Sequence, residues 1–145
     1  MFDFIQTLLA FVVTLGLLIF VHEYGHFWVA RRCGVRVIRF SIGFGQPLVK
    51  WHDKHGTEFV VAALPLGGFV KMLGEPGSDV QDQHRGQSFA HKSVFQRFAI
   101  VSAGPIVNLV FAVFLYWMLF LSGVTSLVPY VGDVEAEGQA AKAGF

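Results

Sequence analysis

The chain has 145 residues, 54% of them apolar and only 14% charged, with sixteen Phe and a formal net charge of +1. That composition is too apolar for the surface of an ordinary soluble domain. The net charge says nothing about nucleic acid, no basic cluster with interleaved aromatics appears and no nucleic-acid partner is expected, while Cys33, standing alone, excludes an internal disulfide.

The apolar residues fall in two blocks, Phe4–Val21 and Phe98–Val131. The first is about as long as the ~20 helical residues that cross a bilayer core, and the second is long enough to contain such a span. The N-terminus lacks the basic region of a signal peptide, because Asp3 stands there, and no small-residue cleavage site follows the apolar run. A retained transmembrane helix is therefore predicted over about 4–30, emerging at Arg31-Arg32 and stopped by Gly34. Cys33, just beyond, is read as a buried or cytosolic-side thiol.

At the end of this first block comes His22-Glu23-Tyr24-Gly25-His26. Polar groups about one turn inside an interface are costly unless they have a role. Two histidines four apart on a helix project about 40° from each other, so both can reach one metal ion. In this pattern the glutamate is not a ligand. Glu23 would take a proton from water and pass it to the leaving nitrogen. A chance match in a chain this long is under roughly one in a hundred, so helix-capping residues are the weaker reading. Two ligands are nevertheless one short of the three protein ligands of a zinc hydrolase, and the third is expected outside this chain. His52, His55, His84 and His91 lie in polar stretches and read as solvated side chains.

Between the spans, Val35–Ile42 is β-branched and partly alternating and reads as a strand, broken by Gly43-Phe44-Gly45. Thr57–Leu64 is a second strand. Pro65-Leu66-Gly67-Gly68 reads as a turn, and Phe69–Met72 resumes extended structure, so a hairpin or small sheet is expected over about 35–73. Pro65, Leu66, Gly67, Gly68 and Phe69 have two readings. They are an ordinary cytosolic hairpin, or they hold a substrate extended by β-addition, sheltered within the protein because lipid-exposed strand edges are forbidden. Gly74–Ser88 is rich in turn formers, and Ser88–Arg97 reads as a short amphipathic segment on the membrane surface.

The second span is predicted over about 98–121. Gly104-Pro105 lies near its start, and Asn108 is its one strongly polar residue, read as interhelical hydrogen-bond glue rather than a catalytic donor. The stretch 129–145 reads as a strand and a helix start with too few apolar residues to bury a core, hence as the opening of a domain. Ten of the eleven Lys and Arg residues lie between the spans. The positive-inside rule then puts 31–97 on the cytoplasmic side and both ends outside.

These residues carry a resemblance. His22–His26, the following FWVARRCGVRVIRFSIGFG at 27–45, PLGGFVKM at 65–72 and AGPIVNLVFA at 103–112 resemble the site-2 protease family of intramembrane zinc metalloproteases, across nearly the whole chain. The closing VGDVEAEGQAAKAGF resembles the opening of a PDZ domain. The resemblance implies a polytopic α-helical membrane protein. Residues 1–128 would be the N-terminal half of the protease domain, with two spans around a membrane-reentrant β-loop, and 129–145 an incomplete PDZ domain. It implies Zn2+ on His22 and His26, Glu23 as catalytic base, and a β-loop around Thr57–Met72 that engages the substrate strand. The third ligand is implied to be an Asp in a Leu-Asp-Gly motif on a later helix. It further implies a multi-pass protein of the bacterial inner membrane that cleaves a membrane-spanning anti-sigma factor in the envelope stress response, some members also clearing remnant signal peptides. A metal or proton transporter and a non-catalytic membrane scaffold are the other classes. The first would spread polar groups over several spans, and the second needs no glutamate base.

Overall fold

A computed structural model describes residues 2–75, 82–123 and 142. Two compact units are present, Met1–Phe114 and Leu115–Phe145. The proposed opening of a PDZ domain falls almost wholly outside the described residues.

Helix α1 runs Phe2–Arg32 and helix α2 runs Val94–Leu121. Among the described residues these are the two helices long and apolar enough to cross a membrane, with mean hydropathies of 2.5 and 2.3. None of the residues in the most apolar window of α1 is buried within the protein. Phe4, Leu9, Phe11 and Val13 are all exposed there, a face that suits lipid rather than water. Both helices exceed the predicted spans. α2 begins at Val94, where Ser93 Oγ accepts from the Gln96 N–H while its own N–H donates to Gln96 Oε1. This reciprocal pair starts the helix before its apolar run begins. Of Ser88–Arg97, read as a surface amphipathic stretch, Phe89–His91 forms a short 3-10 turn and 94–97 the first turn of α2, while a second 3-10 turn, Asp82–Gln87, lies in the turn-rich stretch before it.

Helix α1 ends where the sequence indicates. Gly34 has φ 68°, its N–H donates to the Arg31 carbonyl, and the Val35 N–H donates to the Ala30 carbonyl. This is a Schellman stop, which needs a residue tolerant of the left-handed conformation.

Strands β1 (Val37–His52) and β2 (Glu58–Met72) form the sheet. Both are long and bend back on themselves. Val49, Lys50 and Trp51 pair with Val61, Val60 and Phe59, while Phe40, Ser41 and Ile42 pair with Val70, Phe69 and Gly68 on one side and with Phe59, Val60 and Val61 on the other. In this register Gly68–Met72 lies at one edge of the sheet. The expected break at Gly43–Gly45 is a bend within a continuous strand, with φ 89° and 87° at the two glycines and Phe44 still paired with Leu64. The expected turn at Pro65–Gly68 likewise lies inside β2.

The core lies where one face of this sheet meets the C-terminal half of α1. Phe27, Ala30, Val35, Val37, Phe40, Val70 and Met72 are buried together with Ile100 of α2, and Cys33 packs partly buried against them. Phe27, Phe40 and Phe59 meet edge-on or tilted at 5.4–5.5 Å between centroids. These contacts fix the sheet against the helical turn that carries His22–His26.

Candidate metal centre

His22 and His26 lie one turn apart on α1, and their Nε2 atoms are 3.2 Å from each other. Convergence of two imidazole nitrogens on one point is what a shared metal ion requires. The His26 ring is fixed by its other nitrogen: Nδ1–H donates to the Ile100 carbonyl at 2.7 Å. That bond places the proton on Nδ1 and leaves the Nε2 lone pair free. On the other side, the Asn108 amide stands with Nδ2 3.3 Å from His22 Nδ1.

The wall opposite the two imidazoles is Gly104. A methyl group at that position would collide with His26 Nε2 and come within 2.7 Å of His22 Nε2. The space in front of both nitrogens therefore exists because residue 104 has no side chain. Gly25 permits the approach from the other helix, since a Cβ there would lie 2.8 Å from the Ala103 carbonyl oxygen and 3.1 Å from Val107. Small residues on facing helices let backbones come this close. Two converging imidazoles in a cradle that any side chain would fill fit a bound zinc ion. Among the described residues no group of three His, Cys, Asp or Glu is assembled to hold a metal, and His22 and His26 stand as a candidate pair.

Glu23 lies beside the two imidazoles and against β2. Its Cγ would be 2.8 Å from a Cβ on Gly68, and so would the Ser41 carbonyl oxygen. Glycine at 68 thus lets the sheet edge lie against the Glu23 side chain. Glu23 borders two clefts. One, of about 360 Å³, is lined by His22, Gly67, Gly68 and Asn108; the other, of about 400 Å³, by His26, Phe69, Glu75 and Ile100. Burial pushes the Glu75 carboxyl above its ordinary range, against a backbone hydrogen bond from Met72 and the charge of Lys71.

Of the five β-loop residues singled out in the sequence, Gly67, Gly68 and Phe69 line these clefts, whereas Pro65 and Leu66 are exposed beyond them. The remaining histidines stand apart from the centre. His52 and His55 are exposed in or beside the β1–β2 loop, His84 lies in a 3-10 turn, and His91 Nδ1 is 3.1 Å from Ser88 Oγ. Sequence reading missed Gly104 and the Ile100 carbonyl. The spacing of Gly104 and Asn108, four residues apart and so on one helical face, is the signal that points to the first; nothing in the sequence marks a backbone carbonyl.

The profile of peptidase family M50 matches residues 10–143. The chain is 56% identical over 145 residues to Protease RseP of Yersinia pestis, and 54% identical over 143 residues to the regulator of sigma-E protease RseP of Escherichia coli K12. It is 48% identical over 145 residues to a protein of Vibrio cholerae described as a putative zinc metalloprotease. Each match covers 99–100% of this chain but 32% of the relative, so the chain spans about a third of the length of these proteins. With the family profile covering most of its length and carrying the His22–His26 centre, this chain belongs to peptidase family M50.

Proposed function

We propose that the whole protein is a zinc-dependent intramembrane endopeptidase, to which this chain contributes two metal ligands, the general base and the strand edge that receives the substrate. The observation that carries the reading is the approach of His22 Nε2 and His26 Nε2 to 3.2 Å with Glu23 beside them. Zinc, when bound, supplies Lewis acidity, acidifying water and polarising a carbonyl. His22 and His26 hold it. Glu23 takes the proton from the attacking water and returns it to the leaving amide nitrogen. A third ligand comes from elsewhere in the protein, an Asp in a Leu-Asp-Gly motif by resemblance to the family.

A transmembrane substrate arrives as a helix with its amides hidden in hydrogen bonds, and it must be drawn out before cleavage. The Gly68–Met72 edge supports capture by β-addition, since it runs beside Glu23 and borders both clefts. Gly67, Gly68 and Phe69 contact the substrate next to the scissile bond, and Pro65 and Leu66 lie farther along the extended strand. The substrate class is a single-pass membrane protein of the anti-sigma factor type, in keeping with relatives named as regulators of sigma-E, with remnant signal peptides as a second class. The Lys and Arg distribution supports a multi-pass inner-membrane protein with 31–97 on the cytoplasmic side, the N-terminus in the periplasm, and the PDZ domain opening there at about 129.

The test is Glu23→Gln in the whole protein. Zinc content should remain at the wild-type level while cleavage of a transmembrane substrate falls by about 10²–10⁴, the usual contribution of a general base. Wild-type proteolysis by this variant would remove Glu23 from the role.

A further inference from the structure

We infer that Asn108 is a positioning residue for the metal centre, accepting a hydrogen bond from His22 Nδ1–H through its amide oxygen and so presenting the His22 Nε2 lone pair to the ion. The inference rests on the zinc reading of His22 and His26 and adds a second-helix partner to it.

The starting geometry leaves a choice. The Asn108 Nδ2 stands 3.3 Å from His22 Nδ1, and Oδ1 is buried with no hydrogen-bond partner. Amide nitrogen and oxygen have nearly the same shape, so the hydrogen-bond network decides which end faces the imidazole. The oxygen turned away from the imidazole gains no partner there, so His22 settles the matter.

If the amide NH2 donates to Nδ1, His22 carries its proton on Nε2. That proton then points at His26 Nε2, 3.2 Å away, whose lone pair is exposed because Nδ1 is committed to the Ile100 carbonyl. The two histidines bond to each other, and only one lone pair is offered. If instead the amide oxygen accepts from Nδ1–H, both Nε2 lone pairs face one point, an arrangement that is repulsive until a cation occupies it. Rotating one amide by a half turn therefore separates a histidine pair closed on itself from one open to zinc. Each ligand then has its own acceptor from α2, the Ile100 carbonyl for His26 and Asn108 for His22. Gly104 between these two residues leaves the space they frame.

The acceptor role makes a prediction that simple helix–helix adhesion does not. An aspartate at 108 can only accept, so Asn108→Asp should preserve the function, whereas Asn108→Leu, similar in size, should lose it. In the whole protein, zinc affinity by chelator competition should fall about 10–100-fold in Asn108→Leu, the usual loss when such a partner is removed. It should stay within about threefold of wild type in Asn108→Asp. Cobalt-substituted protein gives a second readout: its ligand-field absorption should be retained by the Asp variant and changed by the Leu variant. Asn108→Ala repeats the comparison should the Leu variant fail to fold, with the same loss expected. Zinc affinity in Asn108→Leu or Asn108→Ala equal to wild type would overturn the inference, as would an Asp variant as weak as Leu. Failure of the unaltered protein to bind zinc would instead overturn the underlying reading of the two histidines.

Discussion

Gly104 contributes to the metal centre by what it lacks. Both Nε2 atoms sit where its side chain would be, at 2.7 Å for His22 and closer for His26. Contacts that short force a shift, and the helix backbone carrying residue 104 is poorly able to give way. Gly104→Ala should therefore lower zinc affinity by at least about tenfold while leaving helix content unchanged, since Ala is the better helix former. Chelator competition alongside circular dichroism checks both halves. Zinc binding at wild-type strength would mean that the imidazoles can swing clear of the wall. At this scale the sequence was informative about side chains and silent about space. The two histidines and the glutamate are legible because metal chemistry demands those residue types at that spacing. What Gly104 and Gly68 lie against is not, although the four-residue spacing to Asn108 and the Pro65–Phe69 stretch mark the two positions, because a glycine in sequence does not say which side chain from another element will lie against it.

At the scale of elements, the sheet has to be held beside α1 for Gly68 to reach Glu23. The far end of the hairpin does this through Asp53, in the loop between β1 and β2. Its Oδ1 accepts from the backbone N–H groups of His55 and Thr57, both at 2.9 Å, and Oδ2 accepts from the Arg31 guanidinium at the end of α1. Arg31 also donates to Thr57 Oγ1, which in turn donates to the Val37 carbonyl. Burial favours the protonated form of Asp53, but the Thr57 N–H, the Arg31 guanidinium and the His55 N–H outweigh it and hold the carboxyl below the ordinary range. A carboxylate with a depressed folded value stabilises above its unfolded value, roughly pH 3.9, and loses that contribution as pH falls through the folded one. Asp53→Asn should thus cost about 1 kcal/mol at pH 7, with a 22% exposed side chain limiting the effect. The gap in melting temperature from wild type should close as the pH drops below 4. A gap that persists in acid would assign the effect to packing instead. The strands themselves were legible from β-branched runs, but their continuity was not. Gly43 and Gly45 bend β1 without ending it, because Phe44 keeps its pairing to Leu64, a long-range fact that local turn signals do not carry.

For the molecule as a whole, the exposed apolar faces of α1 and α2 and the charge distribution bear on the proposed membrane arrangement. The helices leave Phe11, Val13, Leu109 and Val113 open to their surroundings, and burying such faces in lipid is the favourable alternative to water. Ten of the eleven Lys and Arg residues, lying at or between the facing ends of the two helices, support the direction of insertion proposed above. A protein inserted this way carries Lys54, exposed in the β1–β2 loop, on the cytoplasmic side and Ser122, exposed just past α2, on the periplasmic side. Single cysteines placed at these positions, in a chain with Cys33→Ser, should report it with a membrane-impermeant thiol reagent. Ser122→Cys should label in intact spheroplasts and Lys54→Cys only in inverted vesicles or after permeabilisation. The reverse pattern would put Glu23 and the β-loop on the periplasmic side, and cleavage would then open toward the periplasm. Labelling of both positions from one side would mean that α2 does not cross. Either result would detach the orientation of the metal centre from the charge count on which it rests.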